Sequence, residues 1–394
     1  MRFFRNLSAE DRRTVKACFF AFFFNGLFSM MIGSILPDMK AAYQMTDTQS
    51  GLLLSSHSAG NLAAGFLSGL APLYLGRRKS IMSLCALVAV GFTMTLFFGN
   101  PLILAFSFLL TGIGRGSVSN FNNGTVTRAT NGNPAASIML HCFFAVGSLC
   151  APLVFLLADR IAGWRMAVAV IVGVGLAVVF AFSRMRLSDD RPDRKDKTQS
   201  SMAFVKNRSF LIFAGMMLFY LCAEYSVNGW LVSYLQSKPA LLNSFSASGE
   251  SARQALVTYS QTMATLLWGI ILVGRLLSMA LSQKMSQQVL MTLESLGVVL
   301  FFILLLLGSN VATVTVAVAG LGLCMAGICP MVYSNASYIT NVYPMGTSTL
   351  LAFSAIGGML MPFIVGVTAD RYGLGGGMTC ILVGMVALLI LSVL

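Results

Sequence analysis

Twelve apolar runs, each long enough to cross a hydrocarbon layer as a helix, leave this chain little choice of fold. They lie at 17–37, 48–71, 80–98, 102–124, 135–157, 165–183, 209–235, 256–281, 288–308, 311–332, 347–368 and 377–394. A bilayer core about 30 Å thick takes about twenty helical residues. In lipid every backbone N–H and C=O must be paired within the protein, which a single segment achieves only as a helix. With 57% hydrophobic and 10% charged residues, the chain reads as an all-α membrane protein with twelve transmembrane helices. The first run is too long for a signal-peptide core and has no small-residue cleavage site, so it is read as a span. The last run reaches Leu394 itself, which leaves room for a further polar tail.

One long polar stretch, 184–208, divides the runs six and six, and the second half repeats the first. The segment 143–152 (FFAVGSLCAP) matches 353–362 (FSAIGGMLMP) at an offset of 210, and Ala158-Asp159-Arg160 is answered by Ala369-Asp370-Arg371. The expected organisation is therefore a six-helix bundle over 1–183, a basic linker over 184–208 and a second bundle over 209–394. With both termini inside, 18 Lys and Arg fall on cytoplasmic segments and 6 outside, as the positive-inside rule requires. That orientation suits a bacterial-type inner membrane. The net charge of +13 is spread over short loops and forms no continuous face, which argues for topology and against nucleic acid. The eight Cys all lie in apolar runs, where they act as small hydrophobes, and their spacing suggests neither a disulfide nor a metal site. No cofactor is implied, and a monomer is expected. Thr46 to Gln49 has the form of a capping box opening the second span, and Asn133-Pro134 supplies a cap and first-turn proline for the fifth. The Ser/Ala-rich loop 236–255 reads as mobile.

The two six-helix halves, the basic central loop and the segment 69–79 (GLAPLYLGRRK) between spans two and three resemble the major facilitator superfamily over essentially the whole chain. The resemblance implies the major facilitator fold of two six-helix pseudo-repeats, and a cytoplasmic gate at Gly69, Gly76, Arg77 and Arg78. Leu73 and Tyr74 stand where the superfamily signature has Asp and Arg. In span seven, Tyr220 and Glu224 followed by Trp230, Tyr234 and Leu235 resemble the fucose-permease-like sugar transporters, as do Gly112, Gly114 and the asparagines 120, 122 and 123 in span four. The carboxylates that those permeases carry in spans one and four have no counterpart here, the positions being near Gly33 or Ser34 and at Ser117.

Charges inside spans are costly, about 2.5–3.5 kcal/mol each on insertion scales, so each needs a reason. Arg115, Glu224, Arg275 and Glu294 are the four. Arg115 is deep in a span that the resemblance places on the central cavity, and it shares a helical stripe with Ser119 and Asn123. Its planar fork suits a carboxylate, a phosphate or sugar hydroxyls; the alternative is a structural ion pair with Glu224. Glu224 shares a stripe with Tyr220 and Asn228. A partly dehydrated carboxylate there could exchange a proton and couple transport to protons, the alternative being a structural hydrogen bond. Arg275 is read as a gate residue or as snorkelling to the interface, and Glu294 as peripheral. His57 and His141 rank below Glu224 as proton carriers. Asn25 and Ser29, one turn apart, are candidates for hydroxyl recognition, and Tyr220 and Trp230 for stacking on a sugar ring. The function expected is a secondary active carrier, not an enzyme, that moves a small polar solute by alternating access. An organic-anion or drug efflux carrier, and a transport-inactive sensor or passive facilitator, are the alternatives.

Overall fold

The computed structural model describes residues 7–130, 134–184, 203–245, 250–340 and 346–394. Asn133, most of the linker and residues 246–249 of the long loop lie outside the described residues. The helices are α1 (Ala9–Ala42), α2 (Asp47–Leu75), α3 (Arg77–Phe97), α4 (Pro101–Ala129), α5 (Pro134–Ala162), α6 (Trp164–Ser183), α7 (Arg208–Ser237), α8 (Pro239–Phe245), α9 (Glu250–Leu281), α10 (Gln287–Leu307), α11 (Val311–Met325), α12 (Ile328–Thr340) and α13 (Gly346–Val393), with a short 3-10 turn at Ala203–Lys206. All regular structure among the described residues is helical. Two features differ from the sequence reading. The loop read as mobile carries the short helix α8, and the tenth span is broken into α11 and α12. α13 is two spans in one run, divided at Gly373, whose φ of 73° a side chain would oppose.

Among the described residues ten helical runs are long and apolar enough to cross a membrane, α11 and α12 counting as one. α2 falls short because its middle carries Ser55, Ser56, His57, Ser58 and Asn61. Phe97, Leu102, Ile161 and Leu307 are each more than 70% exposed, as side chains facing lipid should be. The helix starts are locally encoded. Asn100 accepts from Leu102 N at 2.9 Å ahead of Pro101, Asn207 from Ser209 N at 2.9 Å, and Asn310 from Thr313 N at 2.8 Å. The capping box forms reciprocally, with Thr46 N to Gln49 Oε1 at 3.0 Å and Gln49 N to Thr46 Oγ1 at 3.1 Å.

By its contacts the chain divides into Met1–Tyr43 with Ser56–Asp196, and Gln44–Ser55 with Lys197–Leu394. In the first unit α1 packs mainly on α5 and α4, while α3 packs on α4 and α6. A Cβ on Gly147 would overlap the Phe23 carbonyl, and one on Gly26 the Phe144 carbonyl, so α1 and α5 meet backbone to backbone. In the second unit α7 packs on α13, α9 and α10 on α11, and α10 also on α13. Gly357 is the repeat partner of Gly147, and a Cβ there would overlap the Leu218 carbonyl of α7. The sequence repeat is thus a repeat of helix crossings.

Residues 44–55 join the second unit for visible reasons. The Asp370 carboxylate accepts from Asp47 N at 2.7 Å and Thr48 N at 2.9 Å, capping α2, and a Cβ on Gly51 would come within 2.6 Å of the Pro362 carbonyl. Burial pushes the Asp370 carboxyl up, but the bonds from Thr48, Asp47 and Thr46 outweigh it and hold the group below its ordinary 3.8. A depressed carboxylate stabilises the fold above its unfolded value and stops doing so as pH falls through the folded one, so this cap is fully charged at neutral pH. At the other end of α7, Lys238 donates to the carbonyls of Leu305 (3.1 Å) and Leu306 (2.7 Å), neutralising the C-terminus of α10.

Gly357→Leu should therefore lower the thermal midpoint of the purified protein steeply or abolish its monodisperse folding. Gly173→Leu, where a Cβ meets nothing within 4 Å, should leave both unchanged. Equal behaviour of the two variants in size-exclusion and melting measurements would contradict the crossing.

Candidate functional site

Each unit holds a polar cluster within its helices. In the first, Arg115 of α4 is half-buried and donates from Nη1 to Asn61 Oδ1 of α2 at 3.3 Å. Its guanidinium carbon is 5.8 Å from the centroid of the Phe144 ring of α5, within cation–π range. One turn up α2, His57 Nδ1 is 2.9 Å from Thr111 Oγ1, and that hydroxyl donates to Phe108 O at 2.7 Å. The threonine proton is thus committed, and His57 is the donor. Towards the other end, Ser68 donates to Ser117 Oγ at 3.3 Å and Asn120 to Ala64 O at 3.3 Å. α2 and α4 are in this way joined by polar groups over several turns.

Ser119 and Asn123 follow Arg115 on the expected stripe, both half-buried, and Asn123 Nδ2 donates back to Ser119 O at 2.9 Å. Asn25 of α1 is 1% exposed, and its Oδ1 has no protein donor among the described residues. Such an oxygen calls for a water or a solute hydroxyl. Ser29, one turn on, is half-buried. His141 lies edge-on to Phe22 at 5.3 Å, a packing role.

The second cluster gathers at the broken span. Tyr220 of α7 donates to Met325 O, the last residue of α11, at 3.1 Å, satisfying a carbonyl that the helix end leaves open. One turn along α7 is Glu224. The carboxylate of Glu224 and the guanidinium of Arg275 from α9 both bear electrostatically on Tyr220 and on Cys329 of α12. Tyr333, also on α12, faces Glu224 and Tyr225 and hydrogen-bonds Ser354 of α13. Deeper along α7, Asn228 Oδ1 accepts from Trp268 Nε1 at 3.2 Å. Four helices therefore meet around one carboxylate, with a cation, two phenols and a thiol about it. Such a setting can hold a proton or a polar solute group.

Two sequence expectations change. Trp230 is 0% exposed and its indole donates to Pro362 O at 3.2 Å; it fastens α7 to α13 and presents no ring to a solute. Arg275 is half-buried and, like Glu224, bears electrostatically on Tyr220 and Cys329. Glu294 is not peripheral: it is 8% exposed and accepts the Ser278 hydroxyl of α9. Of the remaining gate residues, Gly76 turns the chain at φ 76°, and Arg78 donates to Ser183 O at 2.8 Å, closing the end of α6. Arg77 is half-buried, and Gly69 faces open space. Asn61, Cys329, Tyr333 and Ser354 were missed. The signal for the α12 pair was the Gly327-Ile328-Cys329-Pro330 run within an apolar span, a pattern that marks a discontinuous helix.

The model of the Major Facilitator Superfamily matches residues 18–349. The chain is 25% identical over 401 residues to the sialic acid transporter NanX of Escherichia coli (strain K12), covering 99% of this chain and 95% of that protein. It is 24% identical over 391 residues to the glucose/mannose transporter GlcP of Bacillus subtilis (strain 168), covering 93% and 92%. Among solved structures, the nucleoside transporter NupG superimposes with a TM-score of 0.74 at 13% identity over 98% of each chain, a likeness of fold.

Proposed function

The chain belongs to the major facilitator superfamily, and within that family of membrane transporters we propose that it is a secondary active carrier. Its solute is a small polar molecule, a sugar or similar metabolite, moved by alternating access and coupled to protons. The observation that carries this reading is the Glu224 cluster. A carboxylate set inside an apolar bundle, beside Tyr220 and at a break in a helix, combines a titratable group with a part of the structure able to move. Protonation of Glu224 changes the charge that Arg275, Tyr220 and Tyr333 face, which gives α7, α9 and α12 a reason to rearrange. The similarity to a sialic acid transporter and to a glucose/mannose transporter supports the solute class. The excess of Lys and Arg on one set of loops supports a bacterial-type inner membrane with both termini inside.

A second solute class is favoured by Arg115. A guanidinium fork pairs two N–H groups with the two oxygens of a carboxylate, and Asn61, Ser119, Asn123 and Asn25 could serve the hydroxyls of the same molecule. An acidic sugar would satisfy both features.

Thermal unfolding of the purified protein against panels of neutral sugars, sugar acids and lipophilic cations tests the class. A ligand at a hundred times its Kd stabilises by about 2.7 kcal/mol. We expect the shift with neutral or acidic sugars; a shift confined to lipophilic cations would overturn the proposal. For Arg115→Lys we expect a loss of affinity of tenfold or more, because a point charge cannot reproduce the fork. Unchanged affinity would return Arg115 to a structural role.

Glu224→Gln should abolish accumulation driven by a pH gradient in proteoliposomes while sparing solute exchange. Retention of both activities would remove Glu224 from coupling.

A further inference from the structure

The span 311–340 is broken where α11 ends at Met325 and α12 begins at Ile328. A break within a span leaves the first N–H groups of the following helix in need of partners. Against this break lies Glu294, seven residues after the first residue of α10. It accepts the Ser278 hydroxyl on Oε1, and the Gly327 backbone N–H also donates to the carboxylate. A Cβ on Gly327 would come within 2.5 and 2.7 Å of the two carboxylate oxygens, so the carboxylate lies against the backbone at the break. Oε2 has no protein donor among the described residues, and the residue is 8% exposed.

The groups that face Glu294 are Ser278 from α9, Cys324 from α11 and Gly327 at the head of α12; of these only the Cys324 thiol titrates. α13 meets α10 through the Thr292 hydroxyl on Ser392 O at 2.8 Å, which is uncharged. Arg275, one turn before Ser278 on α9, bears on Tyr220 and Cys329. The ionised carboxylate is therefore held by two donors and the positive end of α12, and no cation is among the groups named. One oxygen is saturated and the other is bare. A calcium ion would require six or more oxygens, where the groups named offer one carboxylate and one hydroxyl; a proton requires one.

We propose that Glu294 is a proton-binding site separate from Glu224. The proton comes from water and forms an O–H bond at Oε2, and the charge state of the carboxylate sets how firmly the head of α12 is held. When ionised, Glu294 draws the N–H of Gly327 and the dipole of α12 towards α10. When protonated, it loses that attraction and α12 is free to shift. α12 carries Cys329 and Tyr333 to Glu224, so the two carboxylates share one movable element. This last link rests on the reading of Glu224 as the coupling group; the proton site itself does not.

Infrared difference spectra between acid and alkaline pH, taken on the full chain in proteoliposomes, test the site without any solute. Wild type should show protonated-carboxyl bands that titrate. Glu294→Gln should delete one component and keep the component that Glu224→Gln deletes. A spectrum unchanged by Glu294→Gln overturns the proposal. Should that variant fail to fold, Ser278→Ala keeps the carboxylate but removes one donor to its anion. The midpoint of the Glu294 component should then rise by about one pH unit, and an unmoved midpoint overturns the proposal equally. If Glu224→Gln leaves accumulation intact while the Glu294 component behaves as expected, the coupling reading of Glu224 fails and the Glu294 site stands.

Discussion

Lipid offers a polar group no partner, and the structure follows from where such partners can be found. Backbone groups pair inside helices, so the chain becomes a set of long helices with Asn, Ser and Thr at their starts. Side chains have fewer options. Some of those that stay polar within spans gather in the Arg115 group in one unit and in the Glu224 group in the other. The remaining surfaces are apolar, with residues such as Phe97 and Leu307 turned outward.

Where lipid is as apolar as leucine, hydrophobicity alone does not drive helices together, and close backbone packing takes its place. Gly147 and Gly357 let α5 meet α1 and α13 meet α7 at equivalent places in the two halves. Gly163 and Gly373 turn the chain just beyond, at φ 71° and 73°. The two halves therefore share a scaffold while differing in chemistry, one carrying an arginine and the other a carboxylate. Asp370 caps the head of α2, a contact that places residues 44–55 with the second unit.

The fold was legible because span length and the positions of Asn, Pro and Gly report directly on helices and their ends. The clusters were legible only in part. Arg115, Glu224 and their stripes follow from helical period, but Asn61 is 54 residues from Arg115 and nothing local announces it. Trp230 was misread because aromaticity does not say whether a ring faces a cavity or a neighbouring helix; Pro362 O decides it. Glu294 was misread because its nearness to a span end suggested solvent. Its partners, Ser278 and Gly327, come from other helices and from a break that the apolar run conceals. In each case the missing information was tertiary, namely which faces of which helices meet.

We propose that this chain is a carrier and not a passive pore or a silent scaffold. Counterflow in proteoliposomes tests it most directly, using a solute identified by thermal stabilisation. Vesicles preloaded with unlabelled solute and diluted into labelled solute should accumulate label transiently above the outside concentration, because a carrier exchanges one molecule for another at a single site. Monotonic equilibration that ignores the preload would indicate a pore, and no entry at all a transport-inactive protein; either result would contradict the account.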